Sequence, residues 1–293
     1  MTIWNLGSIN IDHFYRLPHL PRPGETLAAE SYSVGLGGKG ANQSVAAARA
    51  GARVRHIGGV GPEDWALERL RGYGVDCAHV ERCKVATGHA IINVDRAGEN
   101  AIVLFAGANR GFGLEGVAAA LKEAVPGDTL LLQNETAHQT EAAQMARAKG
   151  MRVVYSAAPF EVEAVRAVLP HITLLALNAV EAEQLSAALG TGLDRLLVPQ
   201  ILVTRGSEGA EWNDLAGGER LMQPSFPVQA VDTTGAGDTF AGYFAAGRDS
   251  GLPPGEALRL AAAAAALKVT RAGTAEAIPS RAEVDAFLAE RAR

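Results

Sequence analysis

The segment Asp232-Thr233-Thr234-Gly235-Ala236-Gly237-Asp238-Thr239-Phe240 sets a carboxylate in a glycine-rich turn ahead of AGYFAAGR, which can continue as a helix. Glycine is a poor helix former, so two of them at a helix start need a reason. Access is one: without side chains, the first N–H groups approach an anion closely, and the helix dipole favours negative charge. Such a cradle suits a phosphoryl group in flight. A carboxylate in the same turn would repel that group unless it accepts a proton from an attacking hydroxyl, which assigns Asp238 as general base. The same residues also fit an ordinary capped helix with Asp232, Thr233 or Thr234 as N-cap.

A second glycine-rich helix entry runs from Gly35 to Gln43 as GLGGKGANQ. It contains GxGxxG, but follows a proline-rich stretch rather than a first strand, which argues against a dinucleotide fingerprint. It is no Walker A loop either: Gly40 follows Lys39 where Ser or Thr belongs, and Ser33 stands at the first glycine. Lys39 and Asn42 read instead as polar heads for a hydroxyl-rich ligand. Asn10 and Asp12, in GSINIDH, follow the first apolar strand and share one face. Together they can accept from and donate to adjacent hydroxyls. An Asx turn ending the strand is the other reading.

Glu135 closes the run LLLQNE, and Asn178 with Glu181 opens VEAEQLSAAL as Asn-x-x-Glu. That spacing is a capping box; it also suits a carboxylate holding the waters of a magnesium ion, and the residues leave both readings open. Val203 to Gly209, VTRGSEG, adds a strand-to-loop glycine turn suited to nucleotide contact.

The elements that must position these groups follow from periodicity. Short apolar runs, TIWNLGSI, VRHIGGV, DTLLLQ, MRVVYSA, ITLLALN and QILVTRG, read as buried strands. Helical patterns such as ANQSVAAARAGA, EGVAAALKEAV and TEAAQMARAKG lie between them. The alternation predicts an α/β fold, a mostly parallel sheet covered by helices on both faces. After Phe240 the pattern turns helical, through GEALRLAAAAAALKVT to RAEVDAFLAERA, with Ser280 as N-cap. Two segments break the rhythm: Phe14 to Val34, with Pro18, Pro21 and Pro23, and Gly88 to Phe105, where HAIINVD and AIVLF flank RAGEN. They predict a small accessory sheet over the strand ends, either a lid or a sheet-edge cover or dimer contact.

Composition narrows the classes. Hydrophobic residues make up 48% and charged residues 20%, as in globular proteins. The alanine-rich stretch Ala261 to Leu267 is far short of the ~20 apolar residues of a membrane span. The N-terminus reads as a strand rather than a leader, so the expected compartment is the cytoplasm. A net charge of −5 with scattered lysines and arginines argues against a nucleic-acid partner. Cys77 and Cys83 stand apart from any histidine cluster and read as free thiols.

In their order along the chain, GSINIDH, GGKGANQSVAAARAG, GEN and GAN, the strand-end glutamate, Asn-x-x-Glu and DTTGAGDTF resemble the ribokinase, or phosphofructokinase-B-type, family of carbohydrate kinases. The resemblance covers nearly the whole chain. It implies one ribokinase-like domain over 1–293, a three-layer α/β/α core with a β-sheet lid formed by about 13–35 and 88–106. It implies magnesium-ATP as donor and a sugar primary hydroxyl as acceptor, with ribose leading and another sugar or a nucleoside as alternatives. By that likeness Asp238 is the base, and Gly235, Ala236 and Gly237 form the anion hole. Asn10, Asp12, Gly38, Lys39, Asn42 and Glu135 would hold the sugar, with Asn178, Thr204 and Gly206 near the nucleotide. Asn178 and Glu181 would serve magnesium, and Asp232, Thr234 and Gly273 a monovalent cation, potassium. A homodimer through the lid is also implied. The chain departs from the family pattern at His89 in the lid, Tyr243, Ala262, and Ala277, where a serine hydroxyl ligand is expected. Rival readings are a non-catalytic sugar or nucleotide sensor and a dinucleotide-dependent oxidoreductase.

Overall fold

In the main sheet, alternate residues of each strand serve opposite cores. In β1 (Thr2–Leu6), Ile3 joins one apolar cluster while Trp4 and Leu6 join the other. β8 (Thr129–Gln133) divides likewise, with Leu131 on the first side and Leu130 and Leu132 on the second. A strand buried on both faces is mainly apolar on both, which is why these runs lack a regular alternation with polar residues. The computed structural model describes residues 1–291.

The other strands of this sheet are β4 (Arg53–Val60), β5 (Asp76–Arg82), β9 (Arg152–Ser156), β10 (Leu174–Asn178), β11 (Gln200–Thr204), β12 (Ala210–Asp214) and β13 (Arg220–Gln223). Their spatial order is β13-β12-β11-β10-β9-β8-β1-β4-β5. All pairings from β11 across to β5 are parallel, while β12 and β13 return antiparallel at one edge. β5, β12 and β13 are absent from the apolar runs that predict strands: the edge strands β5 and β13 carry charged residues such as Arg82 and Arg220, and β12, between β13 and β11, carries Glu211, which pairs with Arg205 and Arg220.

Helices α1 (Lys39–Arg49), α2 (Trp65–Gly72), α7 (Ala236–Asp249), α8 (Pro254–Val269) and α9 (Arg281–Glu290) pack into the first cluster. α3 (Leu114–Lys122), α4 (Gln139–Ala148), α5 (Val162–Val168) and α6 (Ala179–Leu189) pack into the second. The result is the expected three-layer α/β core. Ser280 caps α9 through a capping box with Glu283, as its position predicts; Ala292, at the end of that helical pattern, lies outside the described residues. Ala261 to Ala264 are buried, and these small side chains let α8 lie close against α7.

A separate four-stranded sheet has the order β3-β2-β6-β7, from β2 (Asn10–Arg16), β3 (Ser31–Gly37), β6 (Gly88–Val94) and β7 (Asn100–Phe105). It begins at Asn10. Asn10 and Asp12 therefore lie in its strand β2, not at the carboxyl end of β1, which stops at Leu6; Gly7 and Ser8 make the break. Among the described residues no helix is long and apolar enough to cross a membrane, and Cys77 and Cys83 are buried free thiols.

Candidate active site

Parallel sheets gather loops at the carboxyl ends of their strands. Here β1 leads to Ser8, β8 to Glu135, β10 to Asn178 and β11 to Thr204, while α1 and α7 bring Lys39 and Asp238 to the same end. Gly38 begins α1 with φ 89°, and a Cβ there would lie 2.8 Å from Ser8 O. Only glycine allows that turn to sit so close to the strand end.

α7 starts at Gly235, whose φ of 71° is left-handed, and no side chain caps the helix. The capped alternative with Asp232, Thr233 or Thr234 is thereby set aside: Asp232 Oδ1 instead accepts from Thr234 N at 2.9 Å. The Ala236 N–H turns back to Thr233 O at 3.2 Å, which leaves Gly235 and Gly237 as the turn's better-placed donors to an incoming anion. Asp238, 9% exposed, lies in the first turn and accepts from Asn42 Nδ2 and Gln43 Nε2, each at 3.1 Å.

Behind it runs a buried chain of amides that the sequence motifs did not single out. Gln133 Nε2 donates to Gln43 Oε1 at 2.7 Å and to Asn5 Oδ1 at 2.9 Å, and Asn5 Nδ2 donates to Gly40 O and Ser44 Oγ, both at 2.8 Å. These linked hydrogen bonds hold Gln43 in one orientation and with it Asp238. The available signal was polar residues inside apolar runs: Asn5 in TIWNL and Gln133 in TLLLQ.

Lys39 sits among carboxylates. The charge of Asp238 does most to hold its pKa above the usual lysine value, with Glu135 and Glu181 adding to this against the effect of burial. Glu135 Oε2 accepts from Lys39 N at 3.1 Å and from Ser8 Oγ. Asp12 is buried, and burial followed by the nearby charges of Glu135 and Glu276 pushes its carboxyl up to about 7. Asn109, in the GAN motif, donates to Asn10 Oδ1 at 2.8 Å and accepts from Ile9 N at 2.8 Å, which orients Asn10. Asn42 Oδ1 is buried without a protein partner, as expected of a group meant for a ligand. Strand alternation sets Asp12 and Ala90 on one face of the small sheet and His13 and His89 on the other. His89 therefore faces away from the Asp12 side.

A cavity of about 480 Å³ adjoins the anion hole. Ala236 and Gly237 line it at one end, with Thr204 and Gly206, while Val228, Phe226, Ala262 and Ala266 give it an apolar wall. Asn178 and Glu181 do form the capping box: Asn178 Oδ1 accepts from Glu181 N, and Glu181 Oε2 from Asn178 N, both at 2.8 Å. Glu181 still interacts with Asp238 and Lys39; burial first, then Asp238, raises its pKa, opposed by the Asn178 N–H and Lys39. Among the described residues no cluster of three His, Cys, Asp or Glu could hold a metal ion. The second oxygen of Glu181 fits a magnesium ion ligated mainly by phosphates and water.

The expected monovalent-cation residues differ. Asp232 Oδ1 and Oδ2 accept from Thr234 N and Gly273 N, the Asp232 carbonyl accepts from Lys268 Nζ at 3.0 Å, and Ala277 offers no hydroxyl. This donor set does not fit potassium.

The sequence model of the pfkB family carbohydrate kinases matches residues 3–281. The chain belongs to this family. Within it, this pfkB carbohydrate kinase is 35% identical to a ribokinase of Haemophilus influenzae over 98% of both chains. Among solved structures it resembles a ribokinase of Thermotoga maritima, with a TM-score of 0.88 and 34% identity over 99% of each chain. It also resembles Arabidopsis thaliana ribokinase complexed with ribose and ATP, with a TM-score of 0.85 and 29% identity over 98% of each chain.

Proposed function

We propose that this carbohydrate kinase transfers the γ-phosphoryl group of ATP to the primary hydroxyl of ribose, giving ribose 5-phosphate and ADP. The observation that carries it is the position of Asp238 between two environments. On one side are Lys39, Asn42, Asp12 and Glu135, a polar set suited to a polyol; on the other, Gly237 opens onto the cavity that suits a nucleotide.

In this reading Asn10, Asp12, Gly38, Lys39, Asn42 and Glu135 hold the sugar hydroxyls, so that the primary one meets Asp238. Asp238 takes its proton; the sugar oxygen forms a bond to the γ-phosphorus as the bond to the ADP oxygen breaks. N–H groups of Gly235, Ala236 and Gly237 face the negative charge on the transferring group; Ala236 must first release Thr233 O. Thr204, Gly206 and Asn178 lie along the nucleotide. Magnesium, held through Glu181 and the phosphates, would neutralise phosphate charge.

The small sheet, about 13–35 and 88–106, acts as a lid that excludes water, as part of one kinase domain over 1–293. A homodimer through its outer face is supported by exposed Tyr32, Val103 and Phe105. The compartment in keeping with two free thiols is the cytoplasm.

The test is ATP consumption across ribose, deoxyribose, fructose, nucleosides and sugar acids, with the product's phosphate position read by phosphorus NMR. Highest kcat/KM on ribose with phosphate on the primary carbon is expected. Preference for a nucleoside would overturn the acceptor, and ATP binding without turnover on any acceptor would favour a sensor.

A further inference from the structure

Lys268 lies near the carboxyl end of α8 and is fully buried, 0% exposed. A buried ammonium needs partners. This one donates to the carbonyl oxygen of Asp232, at 3.0 Å, and the carboxylates whose charges reach it are those of Asp232 and Glu276. Asp232 is the residue from which the catalytic turn is hung. Its side chain clamps Thr234 N, three residues before Gly237, and Gly273 N from the segment after α8, while its own N–H donates to Val269 O. One lysine thus joins the helix carrying it to the residue that sets the path of the anion hole.

We propose that the Lys268 ammonium is a built-in cation for the anion hole, so that phosphoryl transfer by this chain needs no monovalent metal ion. The inference rests on the kinase reading above. An ammonium resembles a monovalent cation in charge and in its preference for carbonyl and carboxylate oxygens, and it offers three donors. Tethered to α8, it is present at every ionic composition, with no binding equilibrium to satisfy. Its fixed charge steadies the Asp232 carbonyl and adds positive potential beside the amides that face the transferring group. The missing hydroxyl at Ala277 agrees, because a site already holding an ammonium has no use for that ligand. Lys268 is a positioning residue: it acts on the reaction through Asp232 and the turn.

The experiment measures kcat and both KM values in tetramethylammonium buffer and in potassium, caesium and ammonium salts at equal ionic strength. For the unaltered chain, kcat should stay within about twofold across the salts. Lys268→Met should lower kcat by roughly tenfold or more with little change in sugar KM. Lys268→Ala, which leaves space beside Asp232, should regain activity on adding potassium or ammonium but not tetramethylammonium. Potassium activation of the unaltered chain by about tenfold or more would overturn the proposal without touching the kinase assignment. So would a folded Lys268→Met with unchanged kcat. An unaltered chain inert toward every acceptor in every salt would instead remove the kinase reading itself.

Discussion

At the scale of single residues, the site concentrates carboxylates around one lysine, and burial makes Asp12 the most perturbed of them. Its folded pKa of about 7 exceeds the ordinary value of 3.8, so the folded state holds the proton more tightly than the unfolded chain. Stability from this group is whole below pH 3.8 and is lost as pH rises through 7. Asp12→Asn should therefore raise the melting temperature at pH 8 by roughly 2–6 °C, and by much less at low pH, while weakening sugar binding. Differential scanning at the two pH values, beside sugar KM, checks this. Asp12 was readable as a polar residue two positions from Asn10, but its strand was not: Gly7 and Ser8 break the chain between two apolar runs that read as one. The amide chain Asn5, Gln133, Gln43 was not legible as a network, because its members meet only when β1, β8 and α1 pack. Lys268 was hidden for a related reason, as a charge at the end of an alanine-rich run whose buried face no motif marks.

At the scale of elements, α7 carries the catalytic turn at its start and is anchored at its middle. Tyr243 is buried, and its hydroxyl donates to Pro279 O at 2.7 Å, which ties α7 to the segment leading into α9. Burial raises the pKa of that phenol, so it serves as a neutral donor. Tyr243→Phe leaves the Pro279 carbonyl unpaired and should cost about 1–2 kcal/mol of stability. A melting temperature lower by roughly 2–6 °C, with kcat unchanged, is the expected pair of readings. The central strands were legible because strands buried on both faces carry runs of apolar residues without a regular polar alternation. β12 and β13 were not: as an antiparallel edge hairpin they mix Trp212 and Leu221 with Glu211, Arg220 and Asn213, which no run of apolar residues marks.

At the scale of the molecule, residues from opposite ends of the chain converge. Asp238 meets Asn42 and Gln43, and Thr274 Oγ1 donates to Leu36 O at 2.7 Å, binding the C-terminal segment to the small sheet. β7 is the edge strand of that sheet, with Ile102, Val103, Leu104 and Phe105 exposed. If this surface joins two copies, Val103→Asp should convert a dimer to a monomer by light scattering, with folding intact. A parent chain already monomeric at micromolar concentration would remove that assembly. The claim on which the rest depends is Asp238 as the base poised between sugar and phosphate. Turnover of Asp238→Asn with ribose and magnesium-ATP, measured beside the dissociation constants of both ligands, addresses it most directly. Turnover lower by roughly a thousandfold, with both affinities within about threefold of the parent, is expected; turnover within about tenfold would contradict the assignment.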